Sequence, residues 1–149
     1  MQMKDFSSVF LRLALGLSFL SAVADRFGLW GSVGQRNVAW GDFAHFVAYT
    51  GKLNWFMPPA TIPALAWAST VAEILLGVAL VVGVFTRIAA FLSGCLLLLF
   101  ALSMTFALGV KAPLDYSVFT ASAAAFLLAA YAKYSWSLDS LRQQPARTP

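Results

Sequence analysis

The chain has a single cysteine, Cys95, and it lies inside an apolar run. A disulfide within the chain is therefore excluded, as is C-x-x-C dithiol chemistry. Cys95 reads as a small packing residue rather than a reactive thiol. There is likewise one histidine, His45, which argues against a haem or metal centre built by this chain alone. No Ser-His-Asp set, phosphate-cradling glycine loop or dinucleotide fingerprint is present, so an independent hydrolase or kinase is not expected. Charge is the scarcest commodity: charged residues make up 11% of the chain, against about 25% in ordinary soluble domains. A chain so short of charge cannot cover a water-facing surface, so most of its solvent must be lipid.

What the chain does have is apolar length. Its 149 residues, a one-domain size, are 60% hydrophobic, with a mean hydropathy of +0.78. The net charge of +4 points to anionic lipid headgroups rather than nucleic acid, because Lys4, Arg87, Lys133, Arg142 and Arg147 flank apolar runs instead of clustering. Four runs stand out, at residues 8–24, 62–85, 88–110 and 116–134. Crossing a hydrocarbon core of about 30 Å takes roughly 20 helical residues, and backbone polar groups in lipid must be satisfied internally. The expected fold is all-α: an integral membrane four-helix transmembrane bundle, one domain over residues 1–136, with a polar mobile tail at 137–149. The first run is short, contains Arg12 and ends Ala22-Val23-Ala24, as a secretory signal does. It is read here as a retained helix.

The connections differ in length. Residues 25–61 form a long aromatic- and Gly-rich loop, whereas Thr86-Arg87 alone joins the second run to the third, predicting a tight antiparallel hairpin. Residues 111–115 join the third to the fourth. Within the long loop, residues 38–49 predict an interfacial helix with Phe43, Phe46 and Val47 on one apolar face and Asp42 and His45 away from it. Trp30, Trp40, Trp55, Phe56 and Trp67 would form an aromatic belt on that side. With four crossings, six basic residues share the side of the termini and four the side of the long loop, which puts both termini in the cytoplasm.

Glu73 is the sharpest single feature, an acid at the middle of the second run. A carboxylate at that depth costs about 2.5 kcal/mol or more unless it is neutral, paired or facing a cavity. Its helix face continues through Ala66, Thr70 and Gly77, small and polar, and so belongs inside the bundle. Glu73 is either a structural neutral acid or a proton-relay or ligand-binding group. Arg12 is its natural partner, or else snorkels to lipid phosphates. A second polar group gathers at the outer helix ends: Asp25, Arg26, Asp115 and His45. Asp115 is explained by the dipole of the fourth helix, and Asp25 with Arg26 by pairing at the headgroup level.

Several stretches resemble the DoxX family of small bacterial four-helix membrane proteins. They are Arg12-Leu-Ala-Leu-Gly16, Ala72-Glu73-Ile-Leu-Leu-Gly77 and Gly83-Val-Phe-Thr-Arg87-Ile-Ala-Ala90. Ser21-Ala-Val-Ala-Asp-Arg-Phe-Gly28, Val38-Ala-Trp-Gly-Asp42 and Lys111-Ala-Pro-Leu-Asp-Tyr-Ser117 resemble one branch of it. The resemblance implies a bacterial inner-membrane protein associated with a membrane oxidoreductase system, and recurrent polar positions at Arg12, Glu73, Arg87 and Asp115. The expectation is a quinone- or lipid-sized pocket whose catalytic pair is Glu73, which takes or gives a proton, and Arg12 as its partner. Asp25, Asp115, His45, Trp40, Trp55 and Trp67 would bind the ligand. The chain alone holds no cofactor, so a quinone would need electrons from a partner subunit. Lipid, that partner and a second copy of the chain are the expected contacts, and nucleic acid is not. Two rival readings are a non-catalytic membrane adaptor, with a small-residue stripe along Ala121, Ser122, Ala125 and Ala129 exposed to a partner, and a small proton-coupled transporter.

Overall fold

The computed structural model describes residues 3–131 and 133–142, and every regular element among them is helical. Helix α1 spans Met3–Arg26 and α2 Phe43–Leu53. A 3₁₀ turn at Pro59–Thr61 leads into α3, Ile62–Val82, which is followed by α4, Thr86–Leu108. Two short helices, α5 at Lys111–Asp115 and α7 at Leu138–Arg142, flank α6, Val118–Ala129. Helices α1, α3 and α4 are long and apolar enough to cross a membrane. In their most apolar windows only 22–33% of residues are buried, so the uncovered faces, carrying Leu75, Leu99 and Phe106, are themselves apolar. Such faces are at home in lipid and nowhere else. The chain is a membrane protein.

The bundle is built from two close pairs, α1 on α3 and α4 on α6, joined through the α3–α4 hairpin. Glycines set both approaches. A Cβ on Gly16 would lie 2.9 Å from the Gly77 carbonyl oxygen and 2.8 Å from Val81, and one on Gly94 would lie 2.7 Å from the Phe126 ring. Between the pairs sits a core of Leu15, Phe19, Leu80, Ala90, Ala125 and Leu128. Small side chains predominate because lipid offers no hydrophobic drive for helices to associate, and close backbone packing supplies it instead.

Several boundaries differ from the sequence expectation, each for a local reason. α3 stops at Val82, not 85, because Gly83 adopts φ 75° and both Gly83 and Val84 donate to the Ala79 carbonyl, a Schellman-type end. The turn is therefore Gly83-Val84-Phe85, and Thr86 and Arg87 already belong to α4. The fourth run is broken. Ser117 takes φ 56° and separates α5 from α6, and α6 ends at Ala129 with the Tyr134 hydroxyl donating to the Leu128 and Ala129 carbonyls. At about 1.5 Å per residue α6 is about 18 Å long, against about 30 Å of hydrocarbon. The helix expected at 38–49 instead begins at Phe43, capped by Asp42, whose carboxylate accepts from the His45 amide at 2.8 Å. The stripe Ser122, Ala125, Ala129 is not an exposed partner face, because all three are buried and the Ser122 hydroxyl donates to the Gly94 carbonyl.

Of the tail expected from residue 137, positions 137–142 fold back on the α3–α4 turn. The Asp139 amide donates to the Gly83 carbonyl, and its carboxylate accepts from Phe85 and Thr86, capping α4. Residues 143–149 lie outside the described residues.

A buried ion pair beside a membrane-facing groove

The packing of α1 on α3 decides what Glu73 meets. Gly16 lies against Gly77 and Val81 in an antiparallel crossing. Ten residues further along α1, Arg26 is therefore level with the turn of α3 that holds Thr70 and Glu73. Arg26 Nη2 donates to both Glu73 oxygens at 2.7 and 2.8 Å, and Nη1 donates to the Thr70 hydroxyl at 2.8 Å. The Thr70 hydroxyl in turn donates to the Ala66 carbonyl. Both ions are almost wholly buried, with exposures of 3% and 1%. In a low-dielectric interior only such a paired and hydrogen-bonded arrangement tolerates two charges.

The same register corrects the expected Arg12–Glu73 pair. Arg12 is level with Gly83, whose Cβ position lies 2.7 Å from Arg12 Nη1. Ten residues of α3 separate that level from Glu73, about 15 Å by helix rise. Arg12 does not snorkel either. It is buried and donates to the Ser135 and Trp136 carbonyls of the segment folded over that end of the bundle.

Aromatic rings and the long loop complete the surroundings of Arg26. Its guanidinium carbon lies 3.7 Å from the Phe46 ring centroid and 5.3 Å from that of Trp40, a cation–π enclosure. Asp25, the neighbouring residue, is buried and faces the other way. Its carboxylate accepts from the backbone amides of Ala39, Trp40 and Gly41 at 2.8, 3.2 and 3.4 Å. Asp25 thus pins the loop that carries Trp40, and these amides are withheld from any helix, which is why α2 starts late. It does not pair with Arg26 at headgroup level.

A groove of about 580 Å³ opens beside the ion pair between α1 and α6. Arg26, Glu73 and Trp40 line one part of it, Tyr116 and Ser117 another, and the rest is apolar, including Leu15, Phe19 and Ala121. Ala14 and Ser18, also on its wall, are exposed, so the mouth faces sideways, toward lipid. Arg26 Nε is buried without a hydrogen-bond partner, a spare donor on a side chain that forms part of the wall.

The other sequence candidates fall outside the groove. Asp115 is exposed and pairs with Lys111 one turn away, next to the wall residues Tyr116 and Ser117. His45 is exposed and its Nδ1 lies 2.9 Å from both Asp42 oxygens. The Asp42 carboxyl is held below its usual range, first by the His45 amide and then by the His45 ring. Trp67 packs at a tilt against Phe43 with centroids 4.3 Å apart, and Trp55 is 72% exposed against Phe56. From the sequence alone Arg26 is assigned to the headgroups and Phe46 only to the apolar face of the interfacial helix, and Tyr116 is given no role. The available signal was the second basic residue near an acid in the same pair of helices, with no means of choosing between Arg12 and Arg26 without the register.

These features describe a small helical membrane protein with a charged pair set into its interior and a lipid-facing groove. A family model described as DoxX matches residues 7–108, more than half the chain and both partners of the ion pair. The chain belongs to the DoxX family. No curated protein and no solved structure matches it.

Proposed function

We propose that the groove beside Arg26 and Glu73 receives an amphipathic molecule with a neutral, acceptor-bearing head and an apolar tail, a quinone by preference, and that the protein serves a membrane oxidoreductase system. The observation that carries this reading is the neutral ion pair at the groove wall with one donor, Arg26 Nε, left over. Because Glu73 already balances Arg26, a carboxylate or phosphate head would bring an uncompensated charge into the interior. A carbonyl head accepts a hydrogen bond and brings none. The volume of about 580 Å³ lies within the roughly 300–1,000 Å³ of small-molecule sites, and the sideways mouth admits a tail from the bilayer. A bound quinone would supply two-electron, two-proton chemistry. Arg26 and Trp40 would hold its head, and Glu73, the acid on the groove wall, would take or give the proton itself.

With one cysteine and one histidine, the chain is read as having no redox centre of its own, and the reading includes a partner subunit as donor. It also places the protein in a bacterial inner membrane, with α6 and its flanking segments completing a fourth crossing and both termini cytoplasmic. The test is native mass spectrometry with lipid extraction on gently purified protein, comparing the wild type with Ala121→Phe, which fills the groove from its α6 wall and leaves both members of the ion pair in the sequence. Retention of a quinone by the wild type and its loss from the variant supports the reading. Equal retention, or a fully charged lipid in the groove, overturns it.

A further inference from the structure

We infer a second binding site, for an acidic glycerophospholipid, at the opposite end of the bundle, where Arg87 heads a groove between α4 and α6. The groove encloses about 470 Å³ and is lined by Ile88, Phe91, Phe126, Ala129 and Ala130 below Arg87. Its walls are apolar except at the one end, the distribution that an acyl chain below a charged headgroup requires. Phe91 and Phe126 meet edge to face, centroids 5.7 Å apart, and Gly94 lets the Phe126 ring lie against α4.

Among the described residues Arg87 is the only cation on this wall, and it is exposed, with no hydrogen bond or ion pair to another of them. This separates it from the other two arginines discussed, Arg12 and Arg26, which are buried against protein acceptors. Two described acids lie at this end, Asp139 on the amides of Phe85 and Thr86 and Asp5 on the Ser135 hydroxyl, against the described cations Arg12, Arg87, Lys4 and Lys133. Exposed Lys4 and Lys133 share the end, on the start of α1 and just past α6. The local field is positive, and a guanidinium at headgroup level binds phosphate well. A zwitterionic lipid offers the same phosphate but adds an ammonium that this field repels. The charge complement therefore selects an acidic lipid such as phosphatidylglycerol. The site is independent of the groove at Glu73, which lies on the other flank of the bundle and favours a neutral head.

Thermal unfolding of the detergent-solubilised full chain, titrated with phosphatidylglycerol or with phosphatidylcholine of the same acyl chains, tests the site. The wild type is expected to bind phosphatidylglycerol roughly fivefold more tightly, the preference one interfacial cation gives. Arg87→Gln should abolish that preference, Arg87→Lys should keep most of it, and Ala121→Phe should leave it intact. Equal binding of the two lipids, or an unchanged preference in Arg87→Gln, overturns the proposal. So does an equal stabilisation by inorganic phosphate alone, which would assign the chemistry to a free anion. Because Ala121→Phe blocks only the other groove, loss of the quinone reading leaves this result standing.

Discussion

Arg26 ends the first helix and Glu73 lies in the middle of the third, yet the guanidinium and the carboxylate meet at 2.7 and 2.8 Å with almost no solvent on either. The antiparallel crossing at Gly16 brings them level, and Thr70, Phe46 and Trp40 close the cage. Removing one ion strands the other, whereas removing both leaves an apolar contact. Glu73→Gln should lower stability by about 3–5 kcal/mol, while Arg26→Met with Glu73→Met should recover most of it. Thermal or denaturant unfolding in detergent reads both. A double variant that is stable yet no longer retains the groove's ligand would separate the pair's chemical role from its structural one.

Asp25 is the hinge pin of the long loop. Three backbone amides, of Ala39, Trp40 and Gly41, converge on its carboxylate, and Trp40 touches both Arg26 and the groove. Asp25→Ala leaves those donors without their acceptor, at about 1–3 kcal/mol for each one that stays buried. The expected result is faster hydrogen exchange at residues 39–41 and new proteolytic cleavage in the loop, with α3 and α4 unchanged. Protection at those three amides equal to wild type would show that the loop is held by its aromatic contacts instead.

The helices were legible in the sequence and the site was only half so. Apolar runs of about 20 residues can do little else in lipid, so α1, α3 and α4 follow from length and composition, to within the few residues that Gly83 and Gly109 decide. Glu73 was legible because an acid in such a run has to be accounted for. Its partner was not. Arg12 and Arg26 are both on α1, and the choice between them depends on a crossing register that no single helix encodes. The roles of Asp25 and of the Ser117 break were hidden for the same reason, since both depend on backbone geometry remote from the residue or on a strained φ that the sequence does not announce.

The N-cap of α2 gives a pH dependence with a definite sign. Asp42 accepts from the His45 amide, and its carboxyl is held below the ordinary 3.8, first by that hydrogen bond. A carboxyl depressed in the folded state adds stability that is fully present above its unfolded value and is lost as pH falls through the folded one. Protection of the α2 amides, with intrinsic exchange rates divided out, should therefore be constant from neutrality to about pH 5, then fall in acid as the cap protonates. Asp42→Asn keeps a capping oxygen without a titration, so its α2 exchange, corrected for intrinsic rates, should show no acid step. An acid step of the same size in that variant would trace the effect to another group.

Gly16 sets the register on which the site depends, and the substitution that tests it is small. A Cβ there would lie 2.9 Å from the Gly77 carbonyl oxygen and 3.2 Å from the Val81 nitrogen, both backbone atoms. Such a contact is relieved only by moving one helix away from the other. Gly16→Ala should therefore cost about 1–3 kcal/mol through overpacking, despite the better helix propensity of Ala. Because the displaced helix carries Arg26, the variant should also weaken the ion pair ten residues away. Combining Gly16→Ala with Glu73→Gln should consequently cost less than the sum of the two single losses. Strict additivity in unfolding measurements would mean that the crossing point and the ion pair are energetically separate, and that Arg26 reaches Glu73 by its own length rather than by the close approach at Gly16.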